Sequence, residues 1–352
     1  MTEQPNIFKF ATSELSQDAF LCYLLSFGKE AYKGSEEYTA AKDFLELCGI
    51  DEDVIEVKKQ YGHIDVLIVT RNNCLIIEDK TSSFEHDNQM QRYTEEILSK
   101  KDYNDKKITA LYFKTGFTSE KEKRYLRNKH NNICIVGHDS IYNIFNKPIK
   151  NVIINQWKEN FMINYQRILK AKSNNDYQQI FSKKNFLGME CALDNITTEI
   201  LEQTEYKDSY WYIVDQGNTP HLCLYEKFSN NIGEYVLHHA IYLMFRKKNY
   251  SLVVKQHVCK NIIKENEGQV GTNNKGMKER IRIKDYAKLP QEVIEIKNNI
   301  RNELEKISDW KSKGKDEKDN LMVIQKDFEY SEDILTSIKN QKENIAEIIK
   351  KI

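Results

Sequence analysis

The sequence predicts a two-part α/β protein: a mixed β-sheet with helices packed against it, then a separate α+β region. Over the first half, the apolar periodicities run α, α, β, β, β, α, β, α, β, α, an order that sets helices against a mixed sheet. The texture changes near residue 186, where strand-like runs begin to dominate. The length, 352 residues, exceeds one ordinary core and suits two domains. The expected division is residues 1–150, a helical linker over 151–186, and an α+β domain over 187–352.

The first helix opens with the capping residues Thr12 and Ser13 and continues with helical spacing at Leu15, Ala19, Cys22 and Leu25, stopping near Gly28. Glu14 and Asp18 lie one turn apart on it, with Asp18 read as a solvated neighbour. A second helix spans 35–48 and is stopped by Gly49. Residues 54–60 read as a strand leading into a hairpin. After the hairpin, Ser82 and Glu85 form a capping box before a helix reaching Ser99. Its apolar stripe is Met90, Tyr93 and Ile97, and Gln89 shares a face with Tyr93. Strands follow over 107–114 and 133–136, with a capped polar helix over 119–128 between them and a short helix near 140–145. In the second region, strands are expected over 211–214, 221–224, 235–245, 251–258 and near 321–328. Helices are expected over 292–307 and 331–352, and a loop over 268–276.

The hairpin organises the chain. Ile64-Asp65-Val66-Leu67-Ile68-Val69 and Leu75-Ile76-Ile77-Glu78-Asp79-Lys80 are apolar runs interrupted by charge, joined through Arg71-Asn72-Asn73-Cys74. With Asn72 and Asn73 as the turn residues, Arg71 pairs with Cys74, Leu67 with Glu78 and Asp65 with Lys80. Alternation then puts Asp65, Glu78 and Lys80 on one face. Cross-strand neighbours lie roughly 5 Å apart and diagonal ones roughly 7–8 Å, so the three heads can converge. Two carboxylates and an ammonium converging from strands suit a hard divalent cation and a phosphate. The E-x-K triplet also occurs at Glu56-Val57-Lys58 and Glu295-Ile296-Lys297, where it reads as a solvated ion pair of under about 1 kcal/mol. The Glu78 triplet differs because its charges interrupt apolar strands and need a partner.

Lys plus Arg and Asp plus Glu each total 53, for a net charge of zero, so any nucleic-acid surface must be local. No apolar run reaches membrane-spanning length, and the opening residues lack a signal-peptide core. The seven cysteines are scattered without a C-x-x-C, which argues against a zinc site or disulfide framework and for a cytoplasmic protein.

Taken together, Glu14 on a helix, Asp65 on a strand, Glu78-Asp79-Lys80 on the next and Gln89-Met90-Gln91-Arg92-Tyr93 on a helix resemble the PD-(D/E)XK nuclease superfamily. The last motif looks like the Q-hydrophobic-x-x-Y signature of its RecB-type branch. Glu14-Leu15-Ser16-Gln17-Asp18-Ala19-Phe20 looks like the opening of a bacterial and phage subfamily. The resemblance covers roughly residues 1–150 and implies a restriction-endonuclease-like core. By position it implies that Asp65, Glu78 and the Asp79 main-chain carbonyl ligate Mg²⁺ or Mn²⁺, with Glu14 reaching the metal directly or through water. Lys80 would orient the attacking water, and Gln89 and Tyr93 would hold a phosphate or brace the site. Ile64 stands where the family name places Pro, a position without chemistry.

The resemblance implies a metal-dependent nuclease acting on nucleic acid, with DNA favoured over RNA, of prokaryotic or phage origin and in a setting of defence or DNA repair. Basic residues cluster between Arg246 and Lys288; of these Lys247, Lys248, Lys275, Lys278, Arg280 and Arg282 are candidate nucleic-acid contacts. A homo-oligomer and a regulatory partner at the C-terminal domain are further expectations. The alternatives are a non-catalytic binding subunit on a nuclease fold and an effector switched on through that domain.

Overall fold

In a computed structural model, the structure describes residues 5–11, 13–83, 88–130, 132–183, 185–204, 209–214, 219–233, 235–262, 279–282, 289–307, 309–312 and 322–351. The chain divides into two units, Met1–Ser173 and Asn174–Ile352.

The first unit contains α1 (Glu14–Ser26), α2 (Glu36–Glu46), β1 (Glu56–Tyr61), β2 (Ile64–Val69), β3 (Asn73–Lys80), α3 (Gln89–Leu98), β4 (Lys107–Lys114), α4 (Glu120–Lys129), β5 (Ile133–Val136), α5 (His138–Phe145) and α6 (Val152–Lys172). Its sheet runs in the order β1-β2-β3-β4-β5. The first three strands are antiparallel neighbours, and β3-β4 and β4-β5 are parallel. This is the expected mixed α/β core with helices against the sheet.

Alternation along β2 and β3 supplies both layers. Val66, Ile68, Leu75 and Ile77 pack with α1, α2, α5 and α6, while Leu67, Val69, Cys74 and Ile76 pack with Tyr93 and Ile97 of α3. Helix α6, expected to fall in a linker over 151–186, lies in the first unit: Trp157 stacks on Phe20 of α1 at 4.1 Å between ring centroids. Its Trp157, Phe161, Tyr165 and Ile168 are buried at helical spacing.

The hairpin register differs from the expected one by two residues. Val69 pairs with Cys74 and Val66 with Ile77, so Arg71 and Asn72 form the tip rather than Asn72 and Asn73. Glu52 explains the choice, accepting the Asn72 N–H at 3.0 Å and the Asn73 amide at 2.9 Å. Burial would raise the Glu52 carboxyl, but the hydrogen bonds from Thr70, Asn72 and Asn73 hold its pKa at about 2. A two-residue shift leaves every side chain on its expected face.

The helical phase of α1 also differs. Leu15 is 58% exposed, while Gln17, Asp18, Phe20, Leu21, Leu24 and Leu25 are buried. Asp18 is therefore a core residue and not a solvated one. Helix α3 begins at Gln89, after Asn88 in a left-handed conformation; Glu85 of the expected capping box lies outside the described residues.

The second unit contains α7 (Tyr177–Lys183), α8 (Phe186–Gln203), β6 (Tyr210–Val214), β7 (Thr219–Ile232), β8 (Tyr235–Phe245), β9 (Asn249–Ile262), β10 (Glu279–Arg282), α9 (Gln291–Lys306), β11 (Lys311–Ser312), β12 (Met322–Glu329) and α10 (Ile334–Lys351). The strands form an antiparallel sheet in the order β11-β12-β9-β8-β7-β6, with β10 paired to β9. One face packs through Leu222, Ile241, Leu243 and Val254 against Leu193 and Ile196 of α8. Among the described residues, no helix is long and apolar enough to cross a membrane.

Candidate active site

At the end of the β2–β3 hairpin the strands part. The ladder stops at Val66–Ile77, and the Asp79 N–H is taken instead by Asp65 Oδ2 at 2.9 Å. A side chain thus replaces a ladder acceptor where carboxylates gather. On the face toward α3, Lys80 Nζ contacts Glu78 Oε1 in an ion pair, with Glu78 1% and Lys80 8% exposed. Burial works against the Lys80 charge, but Glu78, joined by Glu14 and Asp65, outweighs it and raises the pKa. Burial raises the Asp65 carboxyl and Glu14 adds to this; the Asp79 N–H and Lys80 oppose it.

Glu14 reaches the same end of β3 from the first turn of α1. Its Oε1 accepts the Thr81 N–H at 3.1 Å, the Thr81 hydroxyl at 3.2 Å and the Ser83 hydroxyl at 3.3 Å. The loop after β4 packs close here, at Gly116, where a Cβ would clash with the Thr81 carbonyl oxygen. From α3, Tyr93 is 5% exposed, and its hydroxyl accepts from Gln89 Nε2 at 3.3 Å. Burial and then the Glu78 charge raise the Tyr93 pKa.

Asp79 points the opposite way, toward α1, so only its main chain belongs to the Asp65–Glu78 side. Its side chain enters a buried polar network. Gln17 Nε2 donates to Asp79 Oδ1 and, at 3.3 Å, to the Lys80 carbonyl, and Gln17 Oε1 accepts the Thr115 hydroxyl at 2.9 Å. Gln60 donates to Asp18 at 2.9 Å. Burial lifts Asp79 well above the usual carboxylate range, with Asp18 adding to the shift, and burial together with Asp65 lifts Asp18. Asp18 Oδ1 and Asp79 Oδ2 lack a facing donor, and one proton held between the two carboxyls satisfies both. Gln17 was not singled out in the sequence, and Asp18, read there as a solvated neighbour, is 2% exposed. The phase of Leu21, Leu24 and Leu25 carried back one turn would have placed Gln17 on the buried face.

Asp65, Glu78, Lys80, Glu14, Gln89 and Tyr93 are thus gathered around the end of β3. Among the described residues, no three His, Cys, Asp or Glu side chains converge in metal-holding geometry; the cation resting on Glu78 is the Lys80 ammonium. The donor set itself, carboxylates and a main-chain carbonyl, is all oxygen and fits a hard divalent ion. The basic candidates lie in the second unit. Lys247 and Lys248 are exposed in the β8–β9 turn, and Arg280 and Arg282 pair in backbone register with Asn261 and Cys259. Lys275, Lys278 and the loop over 268–276 lie outside the described residues.

No curated protein and no solved structure matches the chain. The match that exists is to a protein family, and it covers residues 5–167, from before α1 through most of α6 and including every residue gathered at the end of β3. The model matched over those residues is that of the PD-(D/E)XK nuclease superfamily, so this N-terminal region is similar to that superfamily.

Proposed function

We propose that the chain is a metal-dependent phosphodiesterase that cuts nucleic acid, with DNA favoured over RNA, and that Asp65, Glu78 and Lys80 carry the chemistry. What supports this above all is the parting of β2 from β3 at Asp65, which leaves Asp65, Glu78 and Lys80 on one face beside Glu14. Asp65, Glu78 and the Asp79 carbonyl would hold a Mg²⁺ or Mn²⁺ ion, with Glu14 in contact directly or through water. When bound, such an ion polarises a phosphoryl oxygen and makes water a better nucleophile at neutral pH.

The protein groups have separate tasks. Lys80 stays protonated beside the carboxylates, so its ammonium orients the attacking water and offsets the negative charge that develops on it. Glu14 fixes the Thr81–Ser83 strand exit, which keeps the end of β3 in place. Gln89 and Tyr93 brace the α3 side and offer donors to a phosphate oxygen. The Asp18–Asp79–Gln17 network holds the β3 backbone from below. The second unit selects substrate or partner, in a setting of prokaryotic defence or DNA repair.

The test is cleavage of labelled single-stranded and duplex DNA and RNA with Mg²⁺ or Mn²⁺, wild type beside Lys80→Ala. Cutting that requires metal and disappears in the variant is expected. Cutting that survives in Lys80→Ala, or silence from wild type on every polymer, overturns the reading. Metal-independent binding without cutting would instead favour a binding subunit.

A further inference from the structure

An open cavity of about 360 Å³ lies on the α1 side of the sheet, beside the end of β3. It falls in the roughly 300–1,000 Å³ span of small-ligand pockets. Gln17 and Thr81 border it; Thr81 touches the candidate active site through Glu14, and Gln17 reaches the Lys80 main-chain carbonyl from the opposite face of β3. The cavity is one residue beyond Lys80 along the chain.

Its far wall is α6. The apolar positions of this helix face the core, and Asn160, Asn164 and Arg167, spaced i, i+4, i+7, line the cavity. Asn160 is half-buried, yet among the described residues its amide has no hydrogen-bond partner. Arg167 is exposed and, among the described residues, makes no ion pair. Asn164 has one long contact, 3.5 Å to the Thr115 carbonyl. No acidic side chain lines the cavity among the described residues, although the carboxylates of the active site are close by. The Asn160 amide borders the open cavity, so its donor and acceptor are available to a ligand there.

We infer that this cavity is the subsite for the nucleotide next to the scissile phosphodiester, with Arg167 on a backbone phosphate and Asn160 and Asn164 on the base edge. The inference rests on the nuclease reading above. A guanidinium matches phosphate oxygens in a planar fork. A carboxamide offers the paired donor and acceptor that base edges present. The absence of carboxylates keeps the approaching backbone from being repelled on this side.

The experiment uses the full chain with Lys80→Ala, so that no cutting intervenes, and measures binding of fluorescein-labelled single-stranded DNA and RNA dodecamers in Mg²⁺ by anisotropy. Asn160→Leu, Arg167→Gln and the double variant are added to that background, with melting temperatures to check folding. The double variant is expected to raise Kd about tenfold or more. Arg167→Gln alone should lower the slope of log Kd against log salt by about one, while Asn160→Leu weakens binding at unchanged slope. A purely structural role for Arg167 would not move the slope, and this exposed position carries the decision if Asn160→Leu unfolds. Unchanged Kd and slope, or no binding of either polymer, overturn the subsite. Wild-type cleavage measured in parallel separates the two readings: cutting with undisturbed variants removes the subsite alone, whereas variant-sensitive binding without cutting removes the nuclease reading and, with it, the scissile bond beside the subsite, leaving only a nucleic-acid-binding cavity.

Discussion

Two E-x-K triplets lie in the same sheet and make the same i, i+2 ion pair, yet their surroundings differ. On β1, Lys58 Nζ is 3.1 Å from Glu56, whose side chain is 52% exposed. Lys58 also donates to the Tyr103 hydroxyl at 2.9 Å and lies over the Tyr61 ring. On β3, the Glu78–Lys80 pair is buried and faces the further charges of Asp65 and Glu14. The first pair is balanced and screened by water. The second has a surplus of carboxylates in a place where charge is costly. The triplet alone therefore does not set the two apart; the uncompensated negative charge around the β3 pair does.

The largest effect should come from a third pair that separates burial from surplus charge. Lys114 stands beside Lys80 in the parallel register of β3 and β4. Its Nζ reaches both Glu122 oxygens, at 2.9 and 3.0 Å, and the Tyr112 hydroxyl donates to the same carboxylate at 2.6 Å. This pair is as buried as Glu78–Lys80 but complete. Lys114→Met leaves the Glu122 charge buried without its counter-ion, and should cost about 3–5 kcal/mol of folding stability in urea titrations. Lys114→Met with Glu122→Leu should recover most of that loss. Failure of the double variant to recover would mean that the pair serves more than stability.

Lys80→Ala and Lys58→Ala break the comparison directly. Loss of Lys80 should lower cleavage by about 10²–10³-fold, the usual cost of removing one charge-stabilising donor. Lys58→Ala should leave cleavage within about twofold and cost under about 1 kcal/mol of stability. Equal effects at the two sites would show that burial and surplus charge do not distinguish them.

A neutral buried group gives a pH signature to the β4–β5 side. His138 is 2% exposed, and its Nδ1 accepts the Thr118 N–H at 3.4 Å. Burial is the main cause that lowers its pKa to about 4, with Lys172 and Lys123 adding to this and Asp139 opposing it. The unfolded chain titrates near 6.5, so between pH 4 and 6.5 it binds the proton that the folded chain refuses. Stability from this group is complete above pH 6.5 and is lost as pH falls toward 4, by up to about 3 kcal/mol. His138→Gln keeps an acceptor for Thr118 and should flatten this part of the stability profile in urea midpoints measured from pH 4.5 to 7.5.

Much of this arrangement was legible in the sequence because period-two alternation survives an error of two residues. The hairpin tip was misplaced, since only the folded chain brings Glu52 to the Asn72 N–H, yet Asp65, Glu78 and Lys80 kept their common face. What escaped were positions whose meaning depends on distant contacts. Leu15 set a false phase for α1 and hid Gln17 and Asp18, which are buried only because β3 lies above them. In α6, Asn160, Asn164 and Arg167 fell within what was read only as a helical linker over 151–186. Their role depends on Trp157 docking against Phe20, a contact across 137 residues that no local pattern encodes.

The smallest effects are expected on α3, where Gln89 and Tyr93 brace the site from above. Tyr93→Phe removes one hydroxyl and its 3.3 Å contact with Gln89, so stability should fall by only about 0.5–1.5 kcal/mol. If the two side chains act as one brace, Tyr93→Phe and Gln89→Ala should each lower kcat by less than about tenfold, and the double variant should lose little more than either single one. Multiplying losses in steady-state cleavage would mean that the two residues act independently, each on its own substrate atom. In that case α3 contributes separate contacts to the phosphate and the bracing role falls to the Gln17–Asp79 network beneath β3.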